Sequence, residues 1–370
     1  MRILLTTDTV GGVWDYTRIL AESLCAAGHK VLLAVLGDAA ADRRGPLPSC
    51  VEVAARPYRL EWMPDSAADV EASTAWIEEL ALEWRPVVVH LNQYSPALGN
   101  FAAPTLLVSH SDVFSWFSET LASPAPAEWS EYHDRVRSAL RRATLVIAPS
   151  QYQSRLLARH YGFAADQVIA NGIAPPDPDH QERRSPLVVS VGRAWDSAKG
   201  IRTLDKAADE LGEDAPPIHL LGPCTSPQGE HLETKHIVCH GTADRASVDA
   251  WLGRATIYVG PSLYEPFGLA PLEAALHGCA LVLSDIGSFR ELWDGCAEFF
   301  PPGDSGRLAA ILSSLRRDET RVRRLAEAAR RRALERYTAD RMAREYQGIY
   351  AALAPDRPLP GSTRSVHQPV

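Results

Sequence analysis

The 370-residue sequence has no apolar run approaching the roughly 20 residues that a bilayer span needs. Its first residues, MRILLTTDTVGG, hold one Arg and a strand-length apolar run, too short for the core of a secretory signal. Its six cysteines (Cys25, Cys50, Cys224, Cys239, Cys279, Cys296) are scattered, with no C-x-x-C pair and no Cys/His spacing of a zinc site. The expectation is free, mostly buried thiols in a reducing compartment. Basic residues are also too few for a phosphate-coating surface. Lys and Arg number 38 against 46 Asp and Glu, a net charge of −8, which argues against nucleic acid as a partner. The chain therefore reads as cytoplasmic, at most peripheral at the inner face of a membrane.

What is there is globular. Hydrophobic residues make up 46 % and charged residues 23 %, so whole-chain disorder is excluded, and the length suits two or three domains. Strand-like runs lie at 2–7, 31–36, 51–54, 87–91, 105–109 and 144–148. They are continuously apolar rather than alternating, as in a parallel sheet covered on both faces. Val13, Tyr16, Leu20 and Leu24 mark a helix after the first run, stopped by Gly28. A Pro- and charge-rich stretch, 172–186, reads as a linker. Alternation then restarts, with strands at 187–191, 218–221, 236–239, 256–259 and 280–283. Helices are expected at 201–211, 244–253, 271–277 and 305–316, followed by a pair at 319–335 and 338–353. The tail 354–370 has the composition of a disordered end. The fold class is α/β: two Rossmann-like doubly wound domains, 1–171 and 187–335, facing across a cleft. Ligands of such sheets bind beyond the carboxyl ends of the strands.

Three constellations fall at such ends. In GPSLYEPFGLAPLEAALHG (260–278), Glu265 and Glu273 are eight residues apart, too far out of register to share a helix face. Gly268, Pro271 and Gly278 place Glu265 in a loop and Glu273 in the following helix. The unpaired N–H groups around Phe267 to Ala270 then form an anion site at the helix start. In VGRAWDSAKG (191–200), Arg193 offers a planar fork and Lys199 a point charge, a pair suited to a diphosphate, although taken alone it equally reads as a solvated loop with surface charges. In TDTVGGVWDYT (7–17), Gly11 and Gly12 let backbone approach a ligand. This is not G-x-G-x-x-G, so a nicotinamide dinucleotide is disfavoured.

Taken in order, these motifs resemble the retaining GT-B glycosyltransferases of family four, from Met1 to about Leu353. Asn171-Gly172 looks like the Asn-Gly that closes the first domain there, and Ser284-Asp285 with Glu291 and Gly295 like the block after the two glutamates. The resemblance implies a first domain for the acceptor and a second for the donor, with helix 336–353 packing back on the first. It implies a nucleotide-diphosphate sugar as donor, a sugar, glycolipid or small-molecule acceptor, and no cofactor or metal. Arg193 and Lys199 would bind the diphosphate, and Glu273 the ribose hydroxyls. Glu265 would hold a donor-sugar hydroxyl, the amides of Phe267, Gly268 and Leu269 would meet sugar or phosphate, and Gly11 and Gly12 would border both substrates. His110 would lie near the reacting carbon. Breaking a glycosyl–phosphate bond builds negative charge on the leaving diphosphate, which two fixed cations stabilise without a metal. Other readings are a nucleotide-sugar epimerase or hydrolase of the same fold and a non-catalytic nucleotide-sugar binding module.

The aromatic residues leave two readings open. Trp14 and Tyr16 are core residues of the first helix or an acceptor platform. Asp112 and Trp116, within a stretch that also carries Phe114 and Phe117, read as a loop contacting the acceptor. His90 reads as a structural loop residue. Residues 316–345 carry eleven Arg against six acidic residues. They form a solvated face or a contact with anionic membrane.

Overall fold

The computed structural model describes residues 1–37, 47–176, 184–226 and 229–354. In the first half the elements are β1 (Arg2–Asp8), α1 (Gly12–Ala26), β2 (Lys30–Leu36), β3 (Val51–Arg56), α2 (Ala67–Trp84), β4 (Val88–Leu91), β5 (Thr105–Val108), α3 (Val113–Leu121), α4 (Ser130–Arg142), β6 (Leu145–Ala148), α5 (Gln151–Tyr161) and β7 (Gln167–Val168). In the second half they are β8 (Ser185–Val191), α6 (Ile201–Leu211), β9 (Ile218–Leu221), β10 (Val238–Cys239), α7 (Arg245–Arg254), β11 (Ala255–Gly260), α8 (Leu269–Leu276), β12 (Ala280–Ser284), α9 (Gly287–Trp293), β13 (Ala297–Phe300), α10 (Ser305–Arg316), α11 (Glu319–Arg336) and α12 (Ala339–Leu353).

The first sheet runs β3-β2-β1-β4-β5-β6-β7 and the second β10-β9-β8-β11-β12-β13. Every pairing is parallel, with registers such as Ile3↔Val31, Ile3↔Val88 and Val188↔Ile257. The continuous apolar runs explain this. Ile3, Leu4 and Leu5 on β1, and Leu281, Val282 and Leu283 on β12, are fully buried because helices cover both faces. Strand order reverses between β1 and β4 in one sheet and between β8 and β11 in the other, which opens a crevice at each point. The part of the expected linker at 177–183, and the tail beyond Ala354, lie outside the described residues.

The chain returns to its first half at the end. Thr338 bridges Ile173, and a Cβ on Gly172 would meet the Thr338 carbonyl oxygen at 2.2 Å, so only glycine fits that crossing. Helix α12 then packs on α1. Tyr346 and Tyr350 are fully buried, and the Tyr350 hydroxyl lies 2.6 Å from His90 Nδ1. His90 sits on β4 rather than in a loop. Its role is structural, linking Tyr16 (3.3 Å) and Tyr350.

One expectation needs correction. Cys25 is bonded to Cys50 (2.11 Å) and Cys224 to Cys239 (2.01 Å), leaving Cys279 and Cys296 as buried thiols. Tertiary packing brings each pair together: Cys25, in the last turn of α1, meets Cys50 just before β3, and Cys224, just beyond β9, meets Cys239 on the neighbouring β10. Sequence spacing does not report that adjacency. The arginines of 316–345 are mostly exposed, as in a solvated face, and some are also tied to neighbouring elements. Arg321 pairs with Glu298 at 2.6 Å, and Arg330 and Arg332 donate to the carbonyls of Leu276 and Leu292. Among the described residues no helix is long and apolar enough to cross a membrane.

Candidate active site

The two sheet crevices face each other. At the end of β8, Gly192 opens a turn that carries Arg193, Asp196 and Lys199. Asp196 caps a short 3-10 turn, Ser197–Lys199, by accepting from the Ala198 amide. Arg193 donates from Nη2 to Asp196 at 2.8 Å, and its guanidinium lies over the Trp195 ring at 5.3 Å. The other terminal nitrogen reaches the first domain. A Cβ on Gly11 would stand 3.0 Å from Arg193 Nη1, and Gly11, at φ +87°, caps α1. A Cβ on Gly12 would stand 3.4 Å from Leu269. The Gly11-Gly12 turn is therefore the surface against which the second domain's cation and α8 close.

Beyond β11, Glu265 lies in the loop and Glu273 inside α8, as the punctuation predicts. Lys199 Nζ is 2.6 Å from Glu265 Oε2, so a cation and a carboxylate from different loops meet at the crevice floor. Gly268, at φ +90°, starts α8. Phe267 is buried and packs edge-on against Tyr337, which anchors the loop while its backbone stays at the helix start. The Leu269 amide, first of the helix, has no intrahelical acceptor, and no hydrogen bond among the described residues uses the Phe267 or Gly268 amides. Glu273 is buried and its carboxyl pKa is raised by desolvation, opposed by the ion pair with Arg245. Arg245, from α7, also pairs with Asp249 at 2.8 Å. It had no sequence signal, because its partner stands 28 residues away.

On the first-domain side, His110 follows β5, and its Nε2 is 2.8 Å from the Asn92 carboxamide oxygen. That oxygen only accepts, so Nε2 carries the proton and Nδ1 is left as an acceptor. Burial pushes the His110 pKa down to about 3, so the ring is neutral near pH 7. Asp8 ends β1. It accepts from the Val10 amide (2.8 Å) and from Gln93 Nε2 (3.1 Å), and burial raises its pKa to about 6. Gln93 Oε1 is buried without a partner.

A prediction follows from Asp8. Its folded pKa lies above the ordinary carboxyl value of 3.8. The stability tied to its neutral form is fully present below the unfolded pKa and is lost as pH rises through about 6. Asp8→Asn should therefore raise stability at pH 7.5 by up to about 3 kcal/mol. The gain should shrink to nothing near pH 4, measured as urea midpoints across that range. A turned Gln93 amide can accept from the new Asn side chain. No gain at pH 7.5 would show that Arg193 already compensates the Asp8 charge.

The acceptor expectations are corrected in part. Tyr16 is 1 % exposed and tied to His90, and Trp14 is 9 % exposed within the same core cluster, so both belong to the core. The stretch after Asp112 is helix α3, not a loop. Asp112 caps it through the Ser115 amide and hydroxyl and also accepts from Tyr161 and Gln153, so its carboxylate is already filled. Phe114 packs against His133 and Tyr161. Trp116 spans the cleft, with Nε1 3.4 Å from Asp196 Oδ1. Other bridges accompany it. Tyr264 meets Ser111 and Gln153, the Ser150 hydroxyl donates to the Pro266 carbonyl, and Glu291 accepts from the Gln151 and Tyr152 amides at 2.7 Å each. Among the described residues no three His, Cys, Asp or Glu side chains converge as metal ligands.

Residues 10–175 match the model for Glycosyltransferase Family 4, and residues 185–318 that for Glycosyl transferases group 1. Among curated relatives, the glycogen synthase of Mycobacterium tuberculosis is 27 % identical over 95 % of both chains. The alpha-maltose-1-phosphate synthase of Mycolicibacterium smegmatis is 28 % identical over 68 % of this chain and 73 % of its own. The phosphatidyl-myo-inositol mannosyltransferase of the same organism is 26 % identical over 94 % and 92 %. The sucrose-phosphate synthase of Thermosynechococcus elongatus superposes with a TM-score of 0.78, at 20 % identity over 95 % and 99 %. HepE of Anabaena, in complex with UDP and glucose, gives 0.72 at 18 % identity over 95 % and 100 %. The chain belongs to the family-four, group-1 glycosyltransferases and has their GT-B fold.

Proposed function

We propose that this glycosyltransferase moves a sugar from a nucleotide-diphosphate sugar to an acceptor hydroxyl, retains the anomeric configuration, and needs no metal. The observation that carries the reading is the convergence of Arg193, against Gly11 of the facing domain, with Lys199 and the helix start at Gly268–Leu269. Cations and N–H dipoles fixed in this way favour the state in which the glycosyl–oxygen bond breaks and its electron pair leaves with the diphosphate. Their two charges supply the neutralisation that a divalent ion would otherwise give. HepE in complex with UDP-glucose supports a nucleotide-sugar donor by analogy of fold.

In this reading Glu265, held by Lys199, positions a donor hydroxyl and is not the nucleophile. The acceptor oxygen bonds to the anomeric carbon on the face that the diphosphate leaves, and the acceptor proton passes to a phosphate oxygen. His110, neutral and oriented by Asn92, offers an acceptor beside the sugar. Glu273 takes a ribose hydroxyl on the oxygen that Arg245 leaves free.

The test is incubation with UDP-, GDP- and ADP-sugars, with and without candidate acceptors, in the presence of a chelator. Acceptor-dependent nucleotide release, with the donor's anomeric configuration in the product by NMR, is the expected result. An inverted product, or activity abolished by the chelator and restored by a divalent ion, would overturn it. Glu273→Ala should weaken nucleotide binding by about 1–3 kcal/mol, read by calorimetry. Unchanged affinity would remove Glu273 from the ribose.

A further inference from the structure

The carboxylate of Asp196 has three partners from three places. Oδ2 accepts from Arg193 Nη2 at 2.8 Å. Oδ1 accepts from the Ala198 amide at 3.1 Å, which caps the turn that presents Lys199. Oδ1 also lies 3.4 Å from Trp116 Nε1, across the cleft. The backbone ties the same residue in again, because its amide donates to the Arg193 carbonyl and its carbonyl accepts from the Lys199 amide. Asp196 is only 8 % exposed, so this carboxylate is a buried junction and not a solvated surface charge. Trp116 is placed to meet it. Helix α3 is fixed by the Asp112 cap, and Phe117 packs edge-on against the Trp116 ring at 5.2 Å. Tyr264 and Gln153 close a second contact beside the first, and Ala198, Tyr264 and Leu156 form a small apolar cluster with Trp116 against it.

We infer that Asp196 is a positioning residue that couples domain closure, through Trp116, to the orientation of both leaving-group cations. This rests on the donor reading given above. One carboxylate fixes the guanidinium of Arg193 and the turn bearing Lys199. The indole N–H reaches that carboxylate only when the first domain is docked. Closure therefore adds a hydrogen bond to the group that aims the cations, and opening removes it. Charge-assisted hydrogen bonds of this kind are directional, so a loosened carboxylate lets the fork and the ammonium drift from the diphosphate.

The inference gives Trp116 a role opposite to that of an acceptor platform, and one variant separates the two. Trp116→Phe keeps an aromatic face for stacking and removes only the N–H. Steady-state kinetics are run with the donor whose nucleoside diphosphate (UDP, GDP or ADP) binds by calorimetry. Trp116→Phe should raise the donor KM and lower kcat, each by about three- to tenfold, the loss of one hydrogen bond, with acceptor KM unchanged. Asp196→Asn, which keeps an oxygen for Ala198 and Trp116 but has no charge for Arg193, should cost more than Trp116→Phe. The double variant should cost less than the product of the two. Thermal unfolding of both single variants is measured to show that they fold.

A folded Trp116→Phe enzyme with wild-type donor KM and kcat overturns the coupling, as does a change confined to acceptor KM. Multiplicative effects in the double variant also overturn it. If none of the three nucleotides binds the wild-type protein, the donor reading fails and the coupling with it. Wild-type binding and transfer with an unaffected variant fails the coupling alone.

Discussion

Lys199→Ala should lower the turnover of this glycosyltransferase by about 10²-fold or more, the size of effect seen when one charge-stabilising donor is taken from a site where charge develops. The argument has two parts. The ammonium is compact and held 2.6 Å from Glu265 Oε2, so its position is set by a partner and not by solvent. Its removal leaves the diphosphate to the Arg193 fork, which is shared with Asp196. In the proposed reaction, the expanding charge on the diphosphate then meets half the compensation, together with a Glu265 carboxylate that has lost its counter-ion. The loss should fall mainly on kcat, because a group that matters most in the transition state changes turnover more than ground-state affinity. Steady-state assays at saturating donor, alongside thermal unfolding, provide the check. Wild-type turnover in a folded variant would take Lys199 out of the chemistry.

Gly200→Ala should unfold the loop that carries Lys199 and destabilise the protein by about 3 kcal/mol or more, a size expected when backbone strain and a steric clash combine. Gly200 has φ +63°, a left-handed conformation that an L side chain adopts only at a cost. It also has no room. A Cβ there would stand 2.0 Å from the Pro261 carbonyl oxygen and 2.9 Å from its carbonyl carbon, both main-chain atoms of the loop after β11. Neither can swing aside as a side chain end would. Urea denaturation would show the lost stability. A variant that keeps its midpoint would mean that the two loops separate easily, and the site would then be far more plastic than these contacts imply. Gly11 offers a contrast. The atom a Cβ would meet there is the end of the Arg193 side chain, which can move, so the clash is relieved more easily than at Gly200, although φ +87° still strains any L side chain.

Much of the fold could be read directly because its strands are buried on both faces. VLLAVL is apolar throughout, ALVLS at all but its last position, and RILLTT carries a central Ile-Leu-Leu run, and a parallel sheet wrapped by helices has room for such strands. The helix expected at 305–316 is α10 to the residue, since an Asp304 cap precedes a regular apolar stripe. Gly268 and Gly278 likewise placed α8 and therefore separated Glu265 from Glu273. Short elements escaped. β7 has two residues, and β13, AEFF, is only partly buried, so neither carries a strong periodic signal. The disulfides escaped because pairing depends on which helices and strands pack side by side. Asp112 and Trp116 were misread because three nearby aromatics looked like an exposed loop. An Asp followed three residues later by the Ser whose amide it caps was the available sign of a helix start.

The sequence by itself determined the local chemistry of this protein: which residues could be cations, which loops began at glycine, where strands ended, and that two such units follow one another. Those properties are written in a few adjacent residues, and short-range sterics and burial fix them. Only the tertiary structure decided what those residues touch. Arg193 against Gly11, Lys199 with Glu265, Arg245 on Glu273 and Trp116 on Asp196 join positions 28 to 182 residues apart. Such contacts arise when helices pack on sheets and one domain docks on another, and no local pattern encodes the distance between two side chains that meet only after the chain has closed.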